Sequence, residues 1–221
     1  GQVIGGRASA RSHRDEAIST ANRIRSETLI DKLKNLPSSS ALLLSVLLLS
    51  DVVLADASAP GKYLTSQIEF SMLIDSARDD RKTPMKLHLP AGEGPFPVVI
   101  VSHGAGGNWD ANFAQAKHLA THGYLALCLE HVGSNTKSAL AGGFRVGKTV
   151  AAMTRDADEL LNRPKDVSFA IDRIVDWNDS HEELRGKFDI ERIGVMGHSF
   201  GGYTTLVVCG ARPWLNYQNG A

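Results

Sequence analysis

The sequence predicts an α/β fold built on a mostly parallel sheet with helices flanking it. Two observations carry this. First, short unbroken apolar runs recur at Val98 to Val101, in YLALCLEH (124–131) and in RIGVMGHS (192–199), as expected for strands covered on both faces. Second, the segments between them repeat their apolar residues at helical spacing, so strand and helix alternate along the chain.

Two strands of a different kind come first. Ile68, Phe70, Met72 and Ile74 alternate with Glu69, Ser71 and Leu73, and Met85, Leu87 and Leu89 alternate with Lys86 and His88. Period two, broken by the turn-rich SARDDRKTP, predicts an antiparallel pair. After the run at Val98, NWDANFAQAKHLATHG places Phe113, Ala116 and Ala120 on one helical face and stops at Gly123. Following the next strand and a glycine-containing loop, a helix is expected from Pro164 to Asn178, with Val167, Ala170, Ile171, Ile174 and Val175 on its inner side and Pro164 near its start. RIGVMGHS then runs into FGGYTTLVVCGA, a helix that follows its strand almost without a loop.

Ahead of this region the chain is organised differently. Residues 1–36 are polar, mixed in charge and weakly patterned, and are expected to add nothing to a core. An apolar run of about fifteen residues, Ala41 to Ala55, follows Lys32 and Lys34 and ends in overlapping small-x-small sites, so 37–59 reads as a signal peptide of a secreted or periplasmic protein. It is shorter than the roughly 20 residues a bilayer requires, and Asp51 inside it would cost on the order of 2.5–3.5 kcal/mol at a membrane centre, so no stable membrane span is expected. Residues 60–221 form the α/β portion.

Composition narrows the function. The 24 Lys and Arg balance the 24 Asp and Glu, which leaves no global attraction to nucleic acid. Cys128 and Cys209 stand far apart in apolar surroundings, without the spacing of a metal or redox pair, and are expected to be buried thiols.

Two motifs compete for the chemistry. GGFRVGKT, Gly142 to Thr149, fits the phosphate-loop pattern G-x-x-x-x-G-K-[ST], with Lys148 and Thr149 in the nucleotide-contacting places. A phosphate cradle needs a strand leading into the loop, and HVGSNTKSALA supplies no strand-length apolar run; no later strand ends in an aspartate to hold magnesium. Gly142, Gly143 and Gly147 are therefore expected to form a mobile loop at the carboxyl edge of the sheet. The second motif, Gly197-His198-Ser199-Phe200-Gly201, lies between a strand and a helix. A serine hydroxyl is a weak nucleophile, and a sharp strand-to-helix turn presents it beside a base and beside oxyanion donors, with glycines relieving the crowding. His103-Gly104-Ala105-Gly106-Gly107 also follows a buried strand and can turn N–H groups toward the same end of the sheet. Trp109 occupies the place of the third glycine of a dinucleotide fingerprint, which counts against that reading. His103 is expected to be a hydrogen-bonded turn residue, and His198 to be packed in the turn.

SHGAGG, GYLALCLEHVGS, LNRPKD and DIERIGVMGHSFGGYT together resemble the α/β-hydrolases, in the branch of platelet-activating-factor acetylhydrolase and the predicted dienelactone hydrolases, over about Ile68 to Ala211. The resemblance implies Ser199 as nucleophile and the N–H groups of Ala105 and Phe200 as the oxyanion hole, with His103, Gly104, Gly197, His198 and Gly201 supporting the motifs. True dienelactone hydrolases carry cysteine where Ser199 stands. The expected activity is hydrolysis of small carboxylic esters, with lipid-derived esters of short acyl groups as the class the resemblance implies, without metal or organic cofactor. In this fold the acid and the histidine follow the serine, yet no Asp, Glu or His follows Ser199. Both are expected beyond Ala221, in a fold that stops after the nucleophile helix. The alternatives are a catalytically inactive hydrolase-like binding domain and a nucleotide-binding protein using Gly142–Thr149.

Overall fold

A computed structural model describes residues 58–212. The polar extension and nearly all of the signal segment fall outside the described residues. Among the described residues there are seven strands, β1 (Thr65–Phe70), β2 (Ile74–Asp75), β3 (Arg81–Lys82), β4 (Met85–Pro90), β5 (Phe96–Ser102), β6 (Leu125–Leu129) and β7 (Phe188–Gly197). Five form one sheet in the order β1-β4-β6-β5-β7. β1 and β4 pair antiparallel, β4 and β6 antiparallel, and β5 runs parallel to both β6 and β7. The helices are α1 (Phe113–Thr121), α2 (Thr136–Leu140), α3 (Val146–Met153), α4 (Ala157–Ser180) and α5 (Phe200–Val208).

The sheet sorts its side chains by size. Because successive residues of a strand point to opposite faces, Met85, Leu87, Ile100, Leu125, Leu127 and Leu129 share one face with Val167, Ala170, Ile174 and Trp177 of α4. Val101, Ala126 and Cys128 meet Ala116 of α1 on the other. The first face holds large branched side chains, each worth about 1.5–3 kcal/mol when fully buried, whereas the small residues of the second let α1 lie close. The polar members of β4 also face α1: Lys86 bonds Asp110 at 2.6 Å and Glu69 at 3.0 Å, and the His88 ring packs against Phe113.

Several expectations need correction. The first alternating segment does not run through Met72 to Ile74 as one strand; β1 ends at Phe70, and Ile74–Asp75 pairs with Arg81–Lys82 in a separate hairpin. Phe113, expected on the buried face of α1, is 40% exposed at the helix's first turn. Cys209 is exposed at the end of α5, while Cys128 is buried, where desolvation pushes its thiol up to about 12. α4 begins seven residues before Pro164: Asp156 caps it by accepting from the N–H groups of Asp158 and Glu159. Proline inside a helix leaves the carbonyl four residues earlier without its donor. Here the Tyr203 hydroxyl of α5 donates to that carbonyl, Leu160 O, at 3.1 Å, so one bond repairs the ladder and ties α4 to α5.

Candidate active site

β5 and β7 are parallel neighbours whose last residues, Ser102 and Gly197, lie opposite each other. β6 flanks β5 on the other side, so the two loops leaving β5 and β7 open at the point where the chain reverses its direction of travel across the sheet. Crevices of this kind are where open α/β sheets place ligands.

At the end of β7 the backbone turns within two residues. Ser199 has φ 56° and ψ −116°, a region that costs a non-glycine residue on the order of 1–3 kcal/mol. The turn is held because the Gly201 N–H donates to His198 O at 2.9 Å and the Tyr203 N–H to Ser199 O at 3.2 Å. The flanking glycines are needed for close approach. A Cβ on Gly197 would stand 2.4 Å from the Gly201 backbone, and a Cβ on Gly201 only 2.0 Å from Ser102 O. The helix can thus start directly above the end of β5. Ser199 is exposed, and its hydroxyl has no hydrogen-bond partner among the described residues. His198 is exposed as well, not packed as expected.

The loop after β5 presses against this turn: a Cβ on Gly104 would lie 3.4 Å from His198 O and 3.5 Å from Ser199 Cβ. The loop is strapped to the segment after β6, where the Gly106 N–H donates to Ser134 O at 2.8 Å, the Thr136 N–H to Gly107 O at 2.7 Å and the Thr136 hydroxyl to Gly106 O at 3.0 Å. With the loop so committed, the N–H groups of Ala105 and Phe200 have no hydrogen-bond partner among the described residues. The buried His103 ring closes the loop from below. Its Nε2 accepts from the His131 N–H at 3.1 Å, which leaves the proton on Nδ1 to be donated to Gly104 O at 2.6 Å. Burial, with help from His131 and Arg163, lowers its pKa to about 3, so the ring is neutral.

Beneath the loop lies a buried polar network of His131, Arg163 and Asp166, of which the sequence reading missed the last two. His131 Nδ1–H donates to Asp166 at 2.9 Å, and its Nε2 meets the Ser102 hydroxyl at 2.9 Å. Burial, and the nearby Arg163 and Arg81 charges, lower the His131 pKa to about 4 against the opposing Asp166 bond. Burial alone would raise the Asp166 carboxyl, but hydrogen bonds from His131 and Arg81 hold it well below the usual carboxylate range. Arg81 and Arg78 also bond this carboxylate, at 2.9 and 2.8 Å. Arg163, fully buried, reaches Thr204 Oγ1 (3.0 Å), Ser134 Oγ (2.8 Å), Ser102 Oγ (3.2 Å) and the His103 carbonyl. The only sequence signal was LNRPKD, where Arg163 and Asp166 stand three apart and so share a helix face.

Gly142–Thr149 does not build a phosphate cradle. A helix, α2, precedes it rather than a strand, and the segment itself is helical: a 3-10 turn at Gly143–Arg145, then α3. The expected glycine loop is replaced by helix, and Lys148 is exposed on it. Among the described residues, no three His, Cys, Asp or Glu side chains converge as metal ligands, and no helix is long and apolar enough to cross a membrane.

Residues 97–213, just over half of the chain, match the family described as alpha/beta hydrolase fold. The chain is 29% identical over 146 residues to platelet-activating factor acetylhydrolase of Bos taurus, covering 54% of this chain and 33% of that protein. It is 28% identical over 137 residues to cutinase 2 of Thermobifida cellulosilytica, covering 60% of this chain and 52% of the relative. The matched part thus spans between a third and about half of these relatives' length.

Proposed function

We propose that this chain, which belongs to the alpha/beta hydrolase fold family, is part of a serine-dependent hydrolase of small carboxylic esters. The observation that carries the reading is the junction of β5 and β7, where an exposed, strained Ser199 lies against the loop holding Ala105, and where the Ser199 hydroxyl and the N–H groups of Ala105 and Phe200 have no partner among the described residues. Ser199 Oγ attacks the ester carbonyl carbon while a base takes its proton. The carbonyl oxygen becomes an oxyanion, for which the N–H of Ala105 in the loop after β5 and that of Phe200 at the start of α5 are the stabilising partners. Collapse expels the alcohol, which takes the proton, and water then attacks the acyl-enzyme to release the acid and regenerate the serine.

The base is not assigned to His103 or His131, because both ring nitrogens of each are engaged. We place the catalytic histidine and its carboxylate partner beyond Ala221. An acetylhydrolase and several cutinases among the relatives support a short-acyl or lipid-derived ester as substrate. The apolar segment before Asp56 supports export from the cytoplasm, and no metal or organic cofactor enters the chemistry.

The test is covalent labelling of the full-length protein by a fluorophosphonate. Labelling at Ser199 that disappears in Ser199→Ala is the expected result. A label of equal strength on the alanine variant rejects the assignment.

A further inference from the structure

We propose that Arg163 is a positioning residue that locks the Ala105 and Phe200 donors into one rigid unit, so that oxyanion stabilisation rather than substrate binding depends on it. This rests on the ester-hydrolase reading and adds a residue to it. The guanidinium anchors the backbone on either side of the two donors. Through Nε it holds Thr204 Oγ1, whose hydroxyl bonds Phe200 O at 3.0 Å. Through Nη1 it holds the Ser134 hydroxyl, on the residue whose carbonyl receives the Gly106 N–H next to Ala105. Through Nη2 it holds Ser102 and the carbonyl of His103, two residues before Ala105. Its carbon also sits 4.4 Å from the centre of the Phe200 ring. Four anchors thus come from three separate segments: the end of β5, the loop after β6 and the helix after Ser199.

A purely structural role fits these contacts poorly. Among the described residues Arg163 has no carboxylate within ion-pair distance, because Asp166 is occupied by Arg78, Arg81 and His131. Burying a cation against neutral oxygens is costly, and an apolar side chain would fill the same space with less penalty. What only a planar fork of donors supplies is fixed mutual geometry among its acceptors. Burial lowers its pKa to about 10, opposed by Glu159 and Asp166, so the group is still a cation at neutral pH and places positive charge behind the donors.

The experiment compares wild type, Arg163→Lys and Arg163→Met in the full-length protein by kcat and KM on a short-chain p-nitrophenyl ester, by the rate of fluorophosphonate labelling, and by Tm. For folded variants the expected result is a kcat loss of about 10²–10³-fold, the size of losing an oxyanion donor, with KM little changed and labelling slowed in parallel. Lysine keeps the charge without the fork and is expected not to restore the rate. A folded Arg163→Lys with wild-type kcat, or a loss confined to KM, overturns the proposal. Should the Arg163 variants fail to fold, Ser134→Ala and Thr204→Val decide it: a three- to tenfold kcat loss each at constant KM supports the proposal, and unchanged kcat overturns it. Absence of Ser199-dependent labelling in wild type would instead reject the ester-hydrolase reading, which keeps the two failures distinct.

Discussion

Two serines at the ends of neighbouring strands present opposite halves of a catalytic arrangement. Ser102 has hydrogen-bonded partners in the order serine, histidine, aspartate, with His131 oriented by Asp166 and facing the hydroxyl, yet all three are buried and Arg163 claims the same oxygen. Ser199 has no such partners among the described residues, but it is exposed, strained and next to unclaimed amide donors. The contrast shows that a hydrogen-bond chain alone does not define a nucleophile. An ester carbon cannot reach the fully buried Ser102. The buried chain is better understood as scaffolding for the loop that lies against Ser199.

The sharpest way to break this comparison is to remove each hydroxyl. Ser199→Ala is predicted to lower esterase kcat by about 10⁴–10⁶-fold with little effect on Tm. Ser102→Ala is predicted to keep the Ser199 label but to lose about 1–3 kcal/mol of stability, because His131 Nε2 and one Arg163 N–H lose their partner in the interior. Denaturant titration together with mass-spectrometric mapping of the label measures both. A label that moves to, or depends on, Ser102 would reverse the assignment.

Next in size is the contact between the two regions. Gly201→Ala puts a methyl group 2.0 Å from Ser102 O, and since both atoms lie on backbone, either the helix or the end of β5 must shift. A displacement near 1 Å at a reacting centre costs about 10²-fold in rate. The predicted outcome is such a loss in kcat, with about 1–3 kcal/mol of destabilisation from overpacking. Steady-state kinetics at a temperature well below the variant's Tm isolates the first effect.

What the sequence revealed, and what it did not, follows the same division. The strands at Val98 and Leu125 were legible because a strand buried on both faces must be apolar throughout, and the turn at Ser199 because glycines are required on either side of it; β7 was found by the same apolar signal, although among the described residues it ends the sheet and is only half-buried. Both are local constraints. The network around Arg163 was not legible, since its partners lie 29, 41, 60 and 61 residues away in sequence and only the fold brings them together. The start of α4 was misplaced for a related reason: the donor that compensates for Pro164 is a tyrosine hydroxyl 43 residues after the carbonyl it serves. Fold class and nucleophile candidate could therefore be read residue by residue, whereas the groups that position the site could not.

The buried histidines make a pH prediction. Their folded pKa values, about 3 for His103 and about 4 for His131, lie below the unfolded value near 6.5. Between these limits the unfolded chain binds more protons, so stability falls as pH drops from about 6.5 toward 4. Asp166, depressed in the folded state, adds a loss at lower pH, as the carboxylate of the unfolded chain becomes protonated near pH 4 and below. Calorimetric Tm should fall through the upper window, and His131→Gln should flatten that fall while lowering Tm at pH 7. A Tm independent of pH between 6.5 and 4 would contradict the neutral, buried assignment.

The smallest effect is expected where the longest motif stands. Lys148 is exposed on α3, and the Thr149 hydroxyl is turned back to Arg145 O at 3.3 Å as in any helix. Gly142 is needed for a different reason, since its Cβ would strike Thr149 Oγ1 at 2.0 Å; the glycine lets the segment fold on itself. Lys148→Ala is therefore predicted to change stability by no more than about 0.5 kcal/mol and to leave ester turnover within twofold. Calorimetric titration with magnesium and ATP should show no heat of binding to either protein. Binding that is lost in Lys148→Ala would mean that eight matching letters outweigh a helical backbone. The geometry argues otherwise, because a phosphate loop works through backbone N–H groups converging on an anion, whereas most of those of α3 are spent on the carbonyls of its own preceding turn.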